Sequence, residues 1–96
     1  MKPSVALGLH RDAIRAAAAR FRSTNPRVFG SALAGLDEEG SDLDLLVDPL
    51  PGATLFDLGA LQVELEELLG VPVDLLTPGD LPPNLRAKVL AEARPV

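Results

Sequence analysis

The clearest apolar period in the chain runs from Thr54 to Leu69. There Leu58, Leu61, Leu65, Leu68 and Leu69 recur at the three- and four-residue spacing of one helix face. Thr54 followed by Asp57 reads as a capping box with Asp in place of the usual Glu, and Gly70 stands where a left-handed glycine ends a helix. On the other side of this helix Phe56, Ala60 and Val63 form a second apolar line, about 160° or more from Leu65 at 100° per residue. A helix that is apolar on two sides asks for two partners. The pattern predicts either an oligomer contact through Phe56, Ala60 and Val63 or packing of Phe56 under the DPLPG loop at 48–52.

The alanine-rich stretch Val5–Arg22 predicts one helix, with Leu9, Ala13, Ala16, Ala17 and Phe21 near one side. Arg11, Arg15 and Arg22 share another side, and such a basic stripe is either a solvated face or a partner surface. Pro26 disfavours helix at Asn25 and stops it. Strands are predicted at Arg27–Phe29, Leu43–Val47 and Val71–Leu76, with Pro72 near a strand start, where its missing donor is tolerated. Ser31–Leu36 reads as one or two helical turns, DEEGS at 37–41 as a polar loop, and TPGD at 77–80 as a turn. A last helix is predicted over Pro82–Ala93, with Leu85, Val89 and Leu90 inward. The order is helix, strand, short helix, strand, helix, strand, helix. It predicts an α/β (α+β) fold in which a small mixed sheet of three or four strands is packed by helices.

Ninety-six residues suit a single domain spanning 1–96. A chain of this size buries roughly 60–65% of its unfolded surface, enough for one core with little left for a lid or a second lobe. No apolar run approaches the ~20 residues needed to span a bilayer, so no membrane association is expected. MKPSVALGLH lacks the long apolar core of a signal peptide. There is no cysteine, which removes disulfides, thiolate metal sites and thiol catalysis. A cytoplasmic setting is expected on these grounds. Fourteen acids against nine bases give a net charge of −5, and the only aromatics are three Phe, so no direct nucleic-acid binding is expected. The bases are mostly arginine, and Asn, Gln and Met are scarce, which fits a thermophile and a GC-rich genome equally.

The chemistry concentrates in VFGSALAGLDEEGSDLDLLV at 28–47. Residues i and i+2 of a strand share a face, so Asp42 and Asp44 project together, away from Leu43, Leu45 and Val47. Carboxylates within ~6 Å repel, and desolvation adds to the cost, so the pair needs either a cation or full exposure. Strand three repeats the pattern: Val73 and Leu75 point one way and Asp74 the other. If the two strands are neighbours, Asp74 joins the pair, and three carboxylates on one sheet face can scaffold a two-metal site. The plainer alternative is an exposed acidic strand face, with Asp48 a strand-end acid before Pro49. Gly30 can adopt a backbone shape closed to other residues, and Ser31 can cap the turn that follows. Such a turn suits phosphate, and it is also one of the commonest loop pairs. His10, the only histidine, reads as a surface residue on the first helix.

In combination these features resemble the minimal nucleotidyltransferases, a branch of the polymerase-β-like nucleotidyltransferase superfamily. The resemblance rests on Gly30, Ser31, Gly35, Ser41, Asp42 and Asp44 at the family's spacing, and it extends over roughly Val5–Val89. It implies the polymerase-β nucleotidyltransferase fold. It also implies Mg²⁺, as one or two ions, on Asp42, Asp44 and Asp74, with Asp74 as ligand or general base. Gly30 and Ser31 would contact the nucleotide phosphates, and Ser41 would support the nucleotide-binding loop. The implied activity is transfer of AMP, or another nucleoside monophosphate, from ATP or another NTP to a hydroxyl. The implied acceptor is a HEPN-type helical partner protein, with this chain as the antitoxin of a toxin–antitoxin pair. The chain has no tyrosine, which excludes self-modification on that residue. It departs from the family where arginine often follows Gly-Ser: here stand Ala32, Leu33 and Ala34. Charge for a triphosphate would then come from Arg27, Arg86, Lys88 or a partner. Two other functions share the pattern. One is a weak or inactive module that masks a partner by binding. The other is a small-molecule, antibiotic-modifying nucleotidyltransferase, which requires an acceptor pocket.

Overall fold

The computed structural model describes residues 1–96. Along the chain lie α1 (Pro3–Leu9), α2 (Arg11–Arg20), β1 (Ser23–Phe29), α3 (Gly30–Ala34), β2 (Leu43–Pro49), α4 (Leu55–Leu69), β3 (Val73–Leu76), a 3₁₀ turn (Pro78–Asp80), α5 (Pro83–Glu92) and β4 (Arg94–Pro95). The strands form one mixed sheet in the order β3-β2-β1-β4. β1 runs antiparallel to β2 and β4, and β2 runs parallel to β3. The α/β architecture with a mixed four-stranded sheet is the one the element order predicts.

Alternation along β2 divides the molecule into two layers. Leu43, Leu45 and Val47 join Val28 and Val73 in the main core, against Ala6, Leu7, Ile14, Ala17, Ala18, Leu61, Leu65 and Leu69 of α1, α2 and α4. Leu46 points to the other face, where it meets Leu81 and Ala93, with Phe29, Leu76 and Val89 packed around them. The carboxylates of interest share this second, thinly covered face.

α4 follows its sequence signals closely. The Thr54 Oγ1 accepts from the Asp57 N–H (3.2 Å), and the Asp57 Oδ2 accepts from the Thr54 N–H (2.9 Å), which completes a reciprocal cap. Gly70 ends the helix at φ 68°. Leu61, Leu65 and Leu69 are buried. Phe56 is 88% exposed, so it does not pack under the 48–52 loop, and the second apolar side of α4 faces outward.

Four expectations are corrected. The helix over Val5–Arg22 is two helices, broken at His10 (φ −129°). The break redirects α1 so that Ala6 and Leu7 reach the core together with Ile14, Ala17 and Ala18, while Leu9 is left 64% exposed and Ala16 is also outside. α1 is held in this direction by Asp37, whose Oδ2 accepts the Ser4 N–H at its first turn (2.7 Å). β1 begins at Ser23, four residues before the predicted Arg27. Asn25, at φ 53°, and a register shift between Thr24 and Arg27 carry Pro26 through the strand as a bulge. β4 lies where helix is predicted to end. It pairs Arg94 with Val28 and Pro95 with Arg27, and so covers the free edge of β1. Finally, α5 buries none of its residues. Leu85 and Leu90 are 46% and 38% exposed, and only Val89 packs inward, because Leu81 and Ala93 at the helix ends already fill that face. No helix is long and apolar enough to cross a membrane.

Candidate active site

The sheet register sets the site. Parallel pairing of β2 with β3 places Asp44 directly beside Asp74, one strand spacing of about 4.8 Å away. Antiparallel pairing of β2 with β1 sets Phe29 opposite Asp44, so Gly30 follows at the level of the Asp44 carboxylate. Gly30 has φ 72°, and a Cβ built there would run into the Asp44 carboxylate group. This position therefore needs glycine twice over, for its left-handed backbone and for the space above it. Ser31 is the second residue of α3 and does not cap it as expected, because the helix already starts at Gly30 with Phe29 at its N-cap; the Ser31 hydroxyl bonds to no protein group. Asp42 lies immediately before β2 and is exposed, as is Asp74, while Asp44 is half-buried.

None of the three carboxylates is paired. The four ion pairs of the molecule join Met1–Glu39, Arg15–Asp12, Arg20–Glu64 and Arg27–Asp48. Burial, then the charge of Asp74, then that of Asp42 push the Asp44 carboxyl above its ordinary pKa of 3.8. The three groups do not close on one point as a finished coordination shell, and no group of three or more His, Cys, Asp or Glu does so anywhere in the chain. The donor set itself, three hard carboxylates lacking any protein cation, fits the chemistry of Mg²⁺.

A family model described as the nucleotidyltransferase domain matches residues 11–96. The chain belongs to this family. Relatives and solved structures agree with the assignment. A Methanocaldococcus jannaschii protein, provisionally named a protein adenylyltransferase, is 44% identical over 66 residues, covering 69% of this chain and 71% of its own. The protein adenylyltransferase MntA of Thermococcus cleftensis is 38% identical over 73 residues, covering 76% of this chain and 74% of its own. A solved structure provisionally called a minimal nucleotidyltransferase superposes with a TM-score of 0.88 at 44% identity, covering 100% of this chain and 97% of that one. A structure of a toxin–antitoxin with AMP-PNP shares the fold at a TM-score of 0.66 and 18% identity, over 84% of this chain and 70% of that one.

In this nucleotidyltransferase the supply of positive charge is narrower than the sequence suggests. Arg27 is committed to Asp48 (2.7 Å), which is the strand-end acid expected at that position. Arg86 donates to the carbonyls of Pro78 (2.9 Å) and Leu81 (3.0 Å). Lys88 alone of the three candidates is uncommitted and exposed. Of the stripe of Arg11, Arg15 and Arg22, two make local contacts: Arg15 pairs with Asp12 and donates to the Val96 carbonyl, and Arg22 donates to the Gly52 carbonyl, while Arg11 stays exposed. The Ser41 hydroxyl accepts from the Glu38 N–H (2.9 Å), which pins the loop leading into Asp42.

Two positioning residues escape a sequence reading. Glu66 on α4 accepts the Val73 N–H through its Oε2 (3.0 Å), fixing the start of β3 one residue before Asp74. Asp37, 5% exposed, ties the 37–41 loop to α1, and the Ser4 N–H bond holds its carboxyl below the ordinary aspartate range. Nothing local distinguishes either acid from its solvated neighbours Glu67 and Glu38. A cavity of about 270 Å³ lined by Arg15, Ser23, Asn25 and Val96 lies at the far end of β1 from Gly30. The acids instead stand on an open surface.

Proposed function

We propose that this nucleotidyltransferase moves AMP from ATP onto a hydroxyl of a partner protein. We further propose that residues 1–96 act as one domain, the antitoxin of a pair whose toxin is a HEPN-type helical protein. The observation that carries the reading is the in-register pairing of Asp44 with Asp74, unpaired with any cation, beside Gly30 and Ser31. The names of the two relatives, both protein adenylyltransferases, support a protein acceptor. The fold shared with a toxin–antitoxin bound to AMP-PNP supports the pairing and the nucleotide.

In this mechanism Asp42, Asp44 and Asp74 would hold Mg²⁺. When bound, the ion neutralises phosphate charge and draws electron density from the phosphoryl oxygens. The Gly30 backbone and the Ser31 hydroxyl receive the β- and γ-phosphates, and the left-handed Gly30 lets them approach. The acceptor oxygen bonds to the α-phosphorus as the bond from that phosphorus to the β-bridging oxygen breaks. Pyrophosphate leaves, and the acceptor proton passes to Asp74 or to water. Catalysis is then chiefly alignment and charge compensation. Because the acids lie on an open face, the acceptor must be brought to them, which favours a protein hydroxyl over an antibiotic held in a pocket.

A second reading has a specific observation behind it. Ala32, Leu33 and Ala34 replace the usual arginine, and Arg27 and Arg86 are engaged elsewhere. The chain would then mask its partner by binding alone. One experiment separates the two: incubation with α-labelled ATP and Mg²⁺, with and without the product of the neighbouring gene. Label on the partner that is lost in Asp42→Asn with Asp44→Asn supports transfer. A tight complex that takes up no label supports masking.

A further inference from the structure

The outward side of α4 is apolar and uncovered. Leu55 and Phe56 are 85% and 88% exposed and Val63 is 54% exposed, with the small residues Gly59 and Ala60 between them. We propose that this face joins two copies of the chain, with their α4 helices antiparallel about a two-fold axis passing between Gly59 and Ala60. The spacing is self-complementary. Phe56 and Val63 lie equally far on either side of that point, so the crossing sets Phe56 of one copy against Val63 of the other, twice. Gly59 and Ala60 at the crossing allow close approach of the helices.

The charges select a second copy over a more basic partner. α4 carries Asp57, Glu64, Glu66 and Glu67 and no base. Asp57 is engaged in the helix cap, Glu64 with Arg20, and Glu66 with the Val73 N–H. Only Glu67 is free, and it lies on the outward side. The same two-fold carries Glu67 toward the turn before α4 of the other copy. There Arg22 rests with its Nη1 3.3 Å from the Gly52 carbonyl and is otherwise exposed. Self-association therefore brings opposite charges together at both ends of the crossing. The exposed side chains offer roughly 500 Å² per copy, on the order of 1,000 Å² for the pair, the lower bound of a specific interface and the size of a weak dimer. Asp42, Asp44 and Asp74 occupy the opposite face of the sheet, so pairing leaves both sites open.

The test is sedimentation equilibrium of the full chain at about 50 µM, a concentration that separates a micromolar dimer from a monomer. A dimer mass is expected, and it falls to the monomer in Phe56→Glu with Val63→Glu, both exposed positions that the fold does not need. Arg22→Glu should weaken the dimer by about fivefold or more, and adding Glu67→Arg should restore it. Because the chain has no cysteine, Ala60→Cys should give a covalent dimer on mild oxidation, whereas Glu92→Cys should not. A monomeric parent chain would overturn the proposal and leave this face to a different protein. A dimer that survives Phe56→Glu with Val63→Glu, or an Ala60→Cys chain that fails to cross-link, would overturn it as well.

Discussion

Asp44→Asn should make the metal-free protein more stable. Asp44 sits one strand spacing, about 4.8 Å, from Asp74 and on the same face as Asp42, and it accepts no hydrogen bond and no ion pair. With effective dielectric values of 40–80 for a half-exposed site, each neighbouring charge costs roughly 1 kcal/mol, reduced further by solvent screening and salt. Asparagine keeps the shape and removes the charge. A gain of about 1 kcal/mol is expected, equivalent to about 4–8 °C in Tm for a domain of this size. Mg²⁺ should reverse the ranking. A ligand at 100 times its Kd stabilises the native state by about 2.7 kcal/mol, so millimolar Mg²⁺ should raise the Tm of the parent chain and leave Asp44→Asn nearly unmoved. The assay is thermal unfolding by circular dichroism at pH 7 in chelator, then across a Mg²⁺ series, with Ca²⁺ as comparison. An Asp44→Asn variant less stable than the parent in chelator would refute the repulsion argument. Equal Mg²⁺ shifts in the two proteins would refute the assignment of the ion to these carboxylates.

Gly30→Ala forces a Cβ into the Asp44 carboxylate and a side chain onto φ 72°, so it should cost about 1–2 kcal/mol in urea unfolding and also remove the Mg²⁺-dependent rise in Tm. The Asp37 carboxyl has a lowered pKa in the fold, so its contribution is complete above the ordinary value of 3.8 and is lost as pH falls through the lower folded value. The stability difference between the parent and Asp37→Asn should therefore be constant near pH 6 and shrink only below pH 3.8, measured by urea unfolding across pH. Leu65→Ala, at a site 1% exposed, should cost about 2–5 kcal/mol, whereas Phe56→Ala on the other side of the same helix should stay within about 0.5 kcal/mol when measured at dilution.

The sequence by itself determined what local chemistry can determine. The leucine period, Thr54–Asp57 and Gly70 bounded α4 to within a residue, because caps and amphipathic faces are set by neighbours three or four positions away. Alternation in SDLDLLV placed Asp44 of β2 on the face away from the main core, because strand geometry allows only two faces. The spacing of Gly30, Ser31, Asp42 and Asp44 was enough to suggest the family. Tertiary structure decided the rest. That Asp74 stands beside Asp44 follows from the parallel register of β2 and β3, which no residue near either aspartate encodes. The direction of α1 is tied to Asp37, 33 residues after Ser4, and β4 forms by pairing with the edge of β1, contacts between positions distant in the chain. Arg27 and Arg86 looked free in the sequence. Arg27 gives its Nη2 to Asp48 and keeps a buried Nε without a partner, while Arg86 donates to the carbonyls after β3, contacts that only the fold brings within reach. Chain order could not tell the inner stripe of α4 from its outer one either. The sheet could cover only one side, and that choice left Phe56, Ala60 and Val63 facing outward.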